Sequence, residues 1–358
     1  MNAKDYLEME RTYGAHNYHP LPVVISKAKG VWIWDVDGKK YIDMLSSYSA
    51  INQGHLHEKI VAAAVDQLGR VSLSSRAFSN DRMAPFLKKL CELSGMEMAL
   101  PMNTGAEAVE TALKLARRWG YRKKGVPENQ AEIMVCENNF HGRTTTIISF
   151  SSDPGSKDGF GPFTPGFVTI PYNDLQAVEK AANERTVAMM VEPIQGEAGI
   201  NVPSEGYLKG LRKICDEKGI LLIIDEIQTG FGRTGKMFAF EHEGIKPDVL
   251  CVGKALGGGL YPVSAALSSR EIMSVFSPGS HGSTFGGNPL GSAIASAALD
   301  VLVDEDLCER SVEMGAYFVK KLKELNCPRI KEIRAKGLLI GAEFHLGPGE
   351  TVRPVCEK

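Results

Sequence analysis

Short, almost wholly aliphatic runs recur along this chain with amphipathic stretches between them, which restricts it to folds that alternate strands with helices. The runs are 132–136 (EIMVC), 187–192 (VAMMVE), 220–225 (ILLIID), 248–252 (DVLCV) and 262–267 (PVSAAL). Their shortness suits strands, and their lack of apolar–polar alternation predicts strands covered on both faces. Helices are expected at 58–69, 83–94, 105–119, 206–218 and 289–303. In 105–119, Ala108, Ala112, Leu115 and Trp119 recur at helical spacing, Asn103 or Thr104 can cap the start, and Gly120 follows the end. A helix at 307–325 and a strand near 338–344 begin a second unit. The expected fold class is α/β, a mostly parallel central sheet flanked by helices with a smaller α/β domain after it. With 358 residues and 43% hydrophobic composition, there is enough apolar material for such a core.

Several function classes are disfavoured. A formal net charge of −2 gives no basis for a nucleic-acid or acidic-membrane partner. No apolar run approaches the roughly 18–20 residues of a membrane span. The start, MNAKDYLEMERTYG, carries Asp5, Glu8 and Glu10 and resembles neither a secretory signal nor a transit peptide. Seven scattered cysteines without a CxxC pair read as reduced thiols, so a cytoplasmic location is expected. His55 and His57 stand two apart, and His141 and His281 are isolated in glycine-containing loops. None has metal-ligand spacing; they read as solvated or hydrogen-bonded loop histidines, and no metal is expected.

The chemistry concentrates at two strand ends. LLIIDE puts Asp225 at the carboxyl end of a buried strand, and DVLCVGKALGGG puts Lys254 just past another, in a glycine-rich turn. Ligands of open α/β sheets bind beyond such ends. A lysine that can form a Schiff base and an acid that can keep a ring nitrogen protonated match the needs of pyridoxal 5'-phosphate (PLP). A buried Asp–Lys ion pair would satisfy the same pattern. In MNTGAEAVETALKLARRW, Thr104, Gly105 and Ala106 open a helix whose free N–H groups can hold a phosphate, although an ordinary capped helix reads the same way. HGSTFGGN offers Ser283 and Thr284 as further donors. The stretch Gly230–Lys236 fits both GxGxxG and GxxxxGK, but Met237 stands where a P-loop needs Ser or Thr, and Asp225 and Glu226 would repel a polyphosphate. Arg143, in a glycine-flanked turn, is either a surface residue or a fork for a substrate carboxylate. Tyr18 and Tyr48 matter only if they reach the same crevice.

Together, YGAHNYHPLPV, LSSYSAINQGH, MNTGAEAVETALKLARRWGY, VEPIQGEAGI, IIDEIQTGFGRTGK, KPDVLCVGKALGGG and HGSTFGGNPL resemble the class III (fold type I) aminotransferases over nearly the whole chain. YGAHNY and SSYSA-NQGH narrow the resemblance to those that act on ornithine. It implies transfer of the δ-amino group of L-ornithine to 2-oxoglutarate, giving L-glutamate 5-semialdehyde and L-glutamate, with PLP held covalently by Lys254. In this reading Asp225 pairs with the pyridine nitrogen, Gln228 with the ring hydroxyl, and Phe140 and Ile227 sandwich the ring. Gly105 and Ala106 bind the phosphate, helped by Ser283 and Thr284 from the partner subunit of a homodimer with a shared active site. Tyr18, Tyr48, Arg143, Glu192 and Glu197 form the substrate side. The implied organisation is an N-terminal segment 1–48, a large PLP-binding domain 49–288 and a small domain 289–358. In the family a C-terminal arginine receives the 2-oxoglutarate carboxylate, and a glutamate matching Glu197 masks it. No motif here assigns that arginine to Arg334 or Arg353, so the small domain is read as incomplete. Acetylornithine or another ω-amine as substrate, and an inactive cofactor-binding subunit, remain as alternatives.

Overall fold

The computed structural model describes residues 1–347 and 350–351. Arg353 lies outside them. The first three strands, β1 (Ile25–Lys29), β2 (Trp32–Asp35) and β3 (Lys40–Ile42), make a small antiparallel sheet. The next seven, β4 (Met98–Met102), β5 (Glu132–Cys136), β6 (Phe167–Ile170), β7 (Thr186–Val191), β8 (Leu221–Asp225), β9 (Val249–Val252) and β10 (Ser264–Ser268), form the central sheet. Its order is β4-β10-β9-β8-β7-β5-β6. The pairs from β6 through β5, β7 and β8 to β9 are parallel, and β10 is antiparallel to both β9 and β4. The α/β class expected from the sequence is thus observed, with a mixed, mostly parallel sheet.

The aliphatic runs of β5, β8 and β9 split their residues between two cores, because side chains alternate across a strand. In β8, Leu221 and Ile223 pack with Ala112, Leu115 and Ala116 of the helix Gly105–Trp119. Leu222 and Ile224 face the other side, with Leu211, Ile214 and Cys215 of the helix Tyr207–Lys218. β5 and β9 divide in the same way, which is why their sequences read as unbroken apolar runs. Each such side chain fully buried contributes roughly 1.5–3 kcal/mol.

Besides the small sheet β1–β3, two strands of the central sheet escape the sequence reading, and both lie at its edges. β4 (MALPM) contains Pro101, which an edge strand accommodates because one row of N–H groups needs no ladder partner. β6 has four residues, only Ile170 of them buried. After the sheet, the helix Pro289–Asp304 packs on the helices Glu58–Leu68 and Met83–Ser94, Ile294, Ala298 and Val301 meeting Ile60 and Ala64. The helix Leu307–Glu324 and the hairpin of β11 (Ile330–Lys336) and β12 (Leu339–Phe344) follow.

Candidate active site

Parallel β5, β7, β8 and β9 present their carboxyl ends along one side of the sheet, and β4 delivers Asn103 and Thr104 to the same side. Ser264 at the start of β10 donates its hydroxyl to the Thr104 carbonyl, 2.7 Å away, and ties these ends together. The crevice beyond them holds a cavity of about 150 Å³. Its wall contains Gly105, Ala106, Phe140, Glu192, Asp225, Ile227, Gln228 and Lys254, together with His141, Gly142, Ile194 and Thr229. Eight positions singled out from sequence therefore meet in one place.

Lys254 opens the turn after β9 with φ of 46°, a left-handed conformation that a non-glycine residue adopts only when its surroundings impose it. Burial pushes its ammonium below the ordinary lysine value, against the pull of the Asp225, Glu197 and Glu192 charges. A larger fraction of neutral, nucleophilic amine results. Asp225 is 5% exposed and accepts two hydrogen bonds, from Ile227 N–H at 3.0 Å and from His141 Nδ1–H at 2.6 Å. Nδ1 is the donor, because a carboxylate can only accept. Burial pulls the imidazole's pKa down, but the bond to Asp225 and its charge outweigh that, and the net shift is upward. The other ring nitrogen, Nε2, is buried and has no hydrogen-bond partner among the described residues.

Glu192 follows β7. It is buried, accepts Phe140 N–H at 3.0 Å, and is pushed up to about 7 chiefly by burial. Opposite it, the helix Gly105–Trp119 begins with a capping box. Thr104 Oγ1 accepts Glu107 N–H at 3.3 Å, and Thr104 N–H donates to Glu107 Oε2 at 2.7 Å. Gly105 and Ala106, whose N–H groups have no intrahelical acceptor, line the cavity at the positive end of the helix. A Cβ on Gly105 would lie 3.1 Å from two carbons of Ile227, so glycine sets the closeness of the helix to the opposite wall.

The remaining expected residues do not line the cavity, and Gln228, which does, links it to Glu197 and Tyr48. Gln228 Nε2–H donates to Glu197 Oε1 at 3.0 Å and lies 3.5 Å from the Tyr48 carbonyl. Arg143, exposed, has its guanidinium carbon 5.6 Å from the Phe140 ring centre. Ser283 Oγ accepts Asn103 Nδ2–H at 2.8 Å, which seats its loop beside the helix start, while Thr284 is exposed. Tyr18 is 78% exposed. Arg334 donates Nε–H to Gly199 O at 3.0 Å and is paired with Glu332 and Glu343. His141, read from the sequence as a loop histidine, also belongs to the cavity wall. Its signal was position, five residues past the end of buried β5, which shares a sheet end with Asp225. The Gly230–Lys236 stretch spends its backbone N–H groups internally, Gly230 to Glu226 O, Phe231 to Met237 O and Gly235 to Gly232 O, and presents no anion cradle there.

Residues 13–356 match the class-III aminotransferase family. An ornithine aminotransferase of Brevibacillus brevis is 61% identical over 98% of this chain and 87% of its own length. The structure of an ornithine aminotransferase from Toxoplasma gondii, with PLP at partial occupancy in its active site, superposes with a TM-score of 0.95 and 46% identity, over 96% of this chain and 82% of that one. An acetylornithine aminotransferase from Elizabethkingia anophelis superposes with a TM-score of 0.90 and 48% identity, over 100% of this chain and 88% of that one.

Proposed function

The chain belongs to the class-III aminotransferases, and from that premise we propose how its pocket performs the PLP-dependent transamination of ornithine. The observation that carries the assignment is the meeting of Lys254 and Asp225 in one cavity at the carboxyl ends of parallel strands. The residues present fit the cofactor. The helix start at Gly105 and Ala106, the buried Asp225 carboxylate and a lysine whose pKa burial depresses line one cavity together with Phe140 and Ile227. Lys254 would hold the aldehyde, Asp225 the pyridine nitrogen, Gln228 the ring hydroxyl, and the helix start the phosphate.

Bound there, PLP supplies an electron sink for the pair released when a C–H bond beside the reacting amine breaks. Lys254 is the base that takes that proton and returns it, a role suited to an amine whose charged form burial disfavours. Two N–H donors hold the Asp225 carboxylate in place, and His141 is the positioning residue that fixes its orientation. Phe140 and Ile227 exclude water from the two sides of the site. Arg143 and Tyr18 grip the α-carboxylate and α-amino group of ornithine, with Tyr48, Glu192 and Glu197 completing the pocket, so that only the distal amine reaches Lys254. The acceptor in this proposal is 2-oxoglutarate.

Three further points belong to the same proposal. A homodimer completes the phosphate site with Ser283 and Thr284 of the second subunit, supported by Met44, Leu45, Val71, Leu73 and Phe78, all exposed. The chain divides into an N-terminal segment 1–48, a large domain 49–288 and a small domain from 289. The enzyme resides in the cytoplasm, a reading supported by the free cysteines among the described residues. The test is a single-turnover spectrum of the PLP-loaded protein with ornithine alone. Loss of the visible band at a rate higher than with N-acetylornithine is expected; no change, or faster reaction of the acetylated amine, would overturn the assignment.

A further inference from the structure

Beside the pocket, Ser46, Ser47, Tyr48 and Ser49 carry φ values of 53°, 44°, 57° and 72°. Four successive non-glycine residues in the left-handed region form a strained turn that persists only where its neighbours hold it. Asp43 Oδ1 accepts Leu45 N–H at 3.0 Å and Ser46 N–H at 2.8 Å. Arg233 supplies the long-range restraint, with Nη2–H donating to Ser46 Oγ at 3.0 Å and Nε–H to Asn52 Oδ1 at 3.1 Å.

The same arginine reaches the C-terminal hairpin. Its Nη1–H donates to Leu338 O at 3.3 Å, and its own carbonyl accepts Leu338 N–H at 3.0 Å and Ser311 Oγ–H at 2.9 Å. The neighbouring Gly337, with φ of 55°, is seated so closely that a Cβ there would lie 2.5 Å from Thr234 C and 2.8 Å from Arg233 O. From that hairpin Arg334 bonds to Gly199 O at 3.0 Å, in the loop that carries Glu197. Glu197 accepts from Gln228 Nε2, which lies 3.5 Å from Tyr48 O. These contacts close a ring: turn 46–49, Arg233, hairpin, Arg334, loop 197–199, Gln228, and back to Tyr48. Two of its members, Tyr48 and Glu197, belong to the proposed substrate side.

Arg233 is an unusual residue to spend on a mere staple. All the acceptors it is bonded to are neutral oxygens, and burial pushes its guanidinium down to about 10, with Asp43 the one charge pulling it back.

We propose that Arg233 is a positioning residue for substrate selection, closing a ring around the pocket mouth that fixes Tyr48 relative to Glu197 and so favours an amino acid with a free α-ammonium group over its α-N-acylated form. This rests on the reading above that Tyr48 lines the substrate pocket. Arg233 touches neither cofactor nor substrate. Arg233→Lys keeps the charge but loses the fork, and Ser46→Ala removes one acceptor only.

The experiment uses the full chain. In the apoprotein, hydrogen exchange of segment 44–52 should quicken in Arg233→Lys while the central strands stay protected. In the PLP-loaded enzyme, KM for ornithine should rise about tenfold and about threefold in the two variants, kcat and PLP affinity staying within about twofold, an effect of lost ground-state contacts. The kcat/KM preference for ornithine over N-acetylornithine should fall in the same order, and the double variant should be no worse than Arg233→Lys, because the two changes break one shared contact. A parallel loss of PLP affinity and kcat with an unchanged preference would overturn the proposal and leave Arg233 a structural staple. If Arg233→Lys fails to fold, Ser46→Ala decides, and an unchanged preference there overturns it. Tyr48→Ala separates the underlying reading: altered preference in Tyr48→Ala but not in Arg233→Lys refutes only the role of Arg233, whereas unaltered preference in Tyr48→Ala refutes the placement of Tyr48 and this proposal with it.

Discussion

Replacing His141 with phenylalanine tests how Asp225 is held. The imidazole is fully buried, and a phenyl ring fills comparable space next to Phe150, whose ring centre lies 6.0 Å away. The substitution removes the 2.6 Å donor to Asp225 Oδ2 and leaves only Ile227 N–H on the carboxylate. It also removes a buried nitrogen that has no partner among the described residues, Nε2, which offsets part of the cost to the apoprotein. A hydrogen bond to a charged group contributes about 1.5–3 kcal/mol. Asp225 must be anionic when it holds a protonated ring nitrogen, so that loss falls on the loaded state. At 1.4 kcal/mol per decade, PLP should bind about 10- to 150-fold more weakly. The assay is a PLP titration of apoprotein followed by absorbance or fluorescence quenching, with thermal unfolding of the apoprotein as control. His141→Asn, which keeps an N–H donor, should recover part of the affinity. Wild-type affinity in His141→Phe at unchanged apoprotein stability would refute the reasoning.

Glu226 gives a pH prediction. It is fully buried, accepts from Thr229 Oγ1 and from Phe240 N–H, and burial pushes it up to about 7. A carboxyl raised in the fold contributes stability that is full below its unfolded value of 4.5 and drains away as pH rises through about 7, about 3 kcal/mol in all. Urea midpoints of the apoprotein at pH 5 and pH 8 should therefore lie closer together in Glu226→Gln than in wild type; an unaltered gap would contradict the burial argument. Gly120 tests close packing, since a Cβ there would lie 2.2 Å from Val187 Cγ1. Gly120→Ala should cost about 1–3 kcal/mol in urea unfolding, and adding Val187→Ala should return part of it; full stability in the single variant would show that the helix end shifts freely.

Much of this was legible in the sequence, and the exceptions share a cause. ILLIID and DVLCV announced buried strands because both of their faces are covered, and Asp225 and Lys254 stood out because each follows such a run. Thr104 and Glu107 announced the helix start, since a capping box is local. β4 stayed hidden because its position at the sheet edge is what permits Pro101, and that position is set by β10, over 150 residues away. His141 was read only as a loop histidine, because β5 and β8 are brought into one end by β7 between them. The turn at 46–49 has no glycine to advertise its left-handed backbone. Arg233 sat inside a stretch whose glycine spacing drew attention to phosphates, while its actual partners, Ser46, Asn52 and Leu338, lie far away along the chain.

The central claim, that Lys254 and Asp225 meet to hold one cofactor, is most directly tested by reducing the PLP-loaded protein with borohydride and mapping the labelled peptide. The label should fall on the peptide containing Lys254 and should be absent from Lys254→Ala, which is expected to retain its fold. Labelling of a different lysine, or undiminished labelling of Lys254→Ala, would contradict the account.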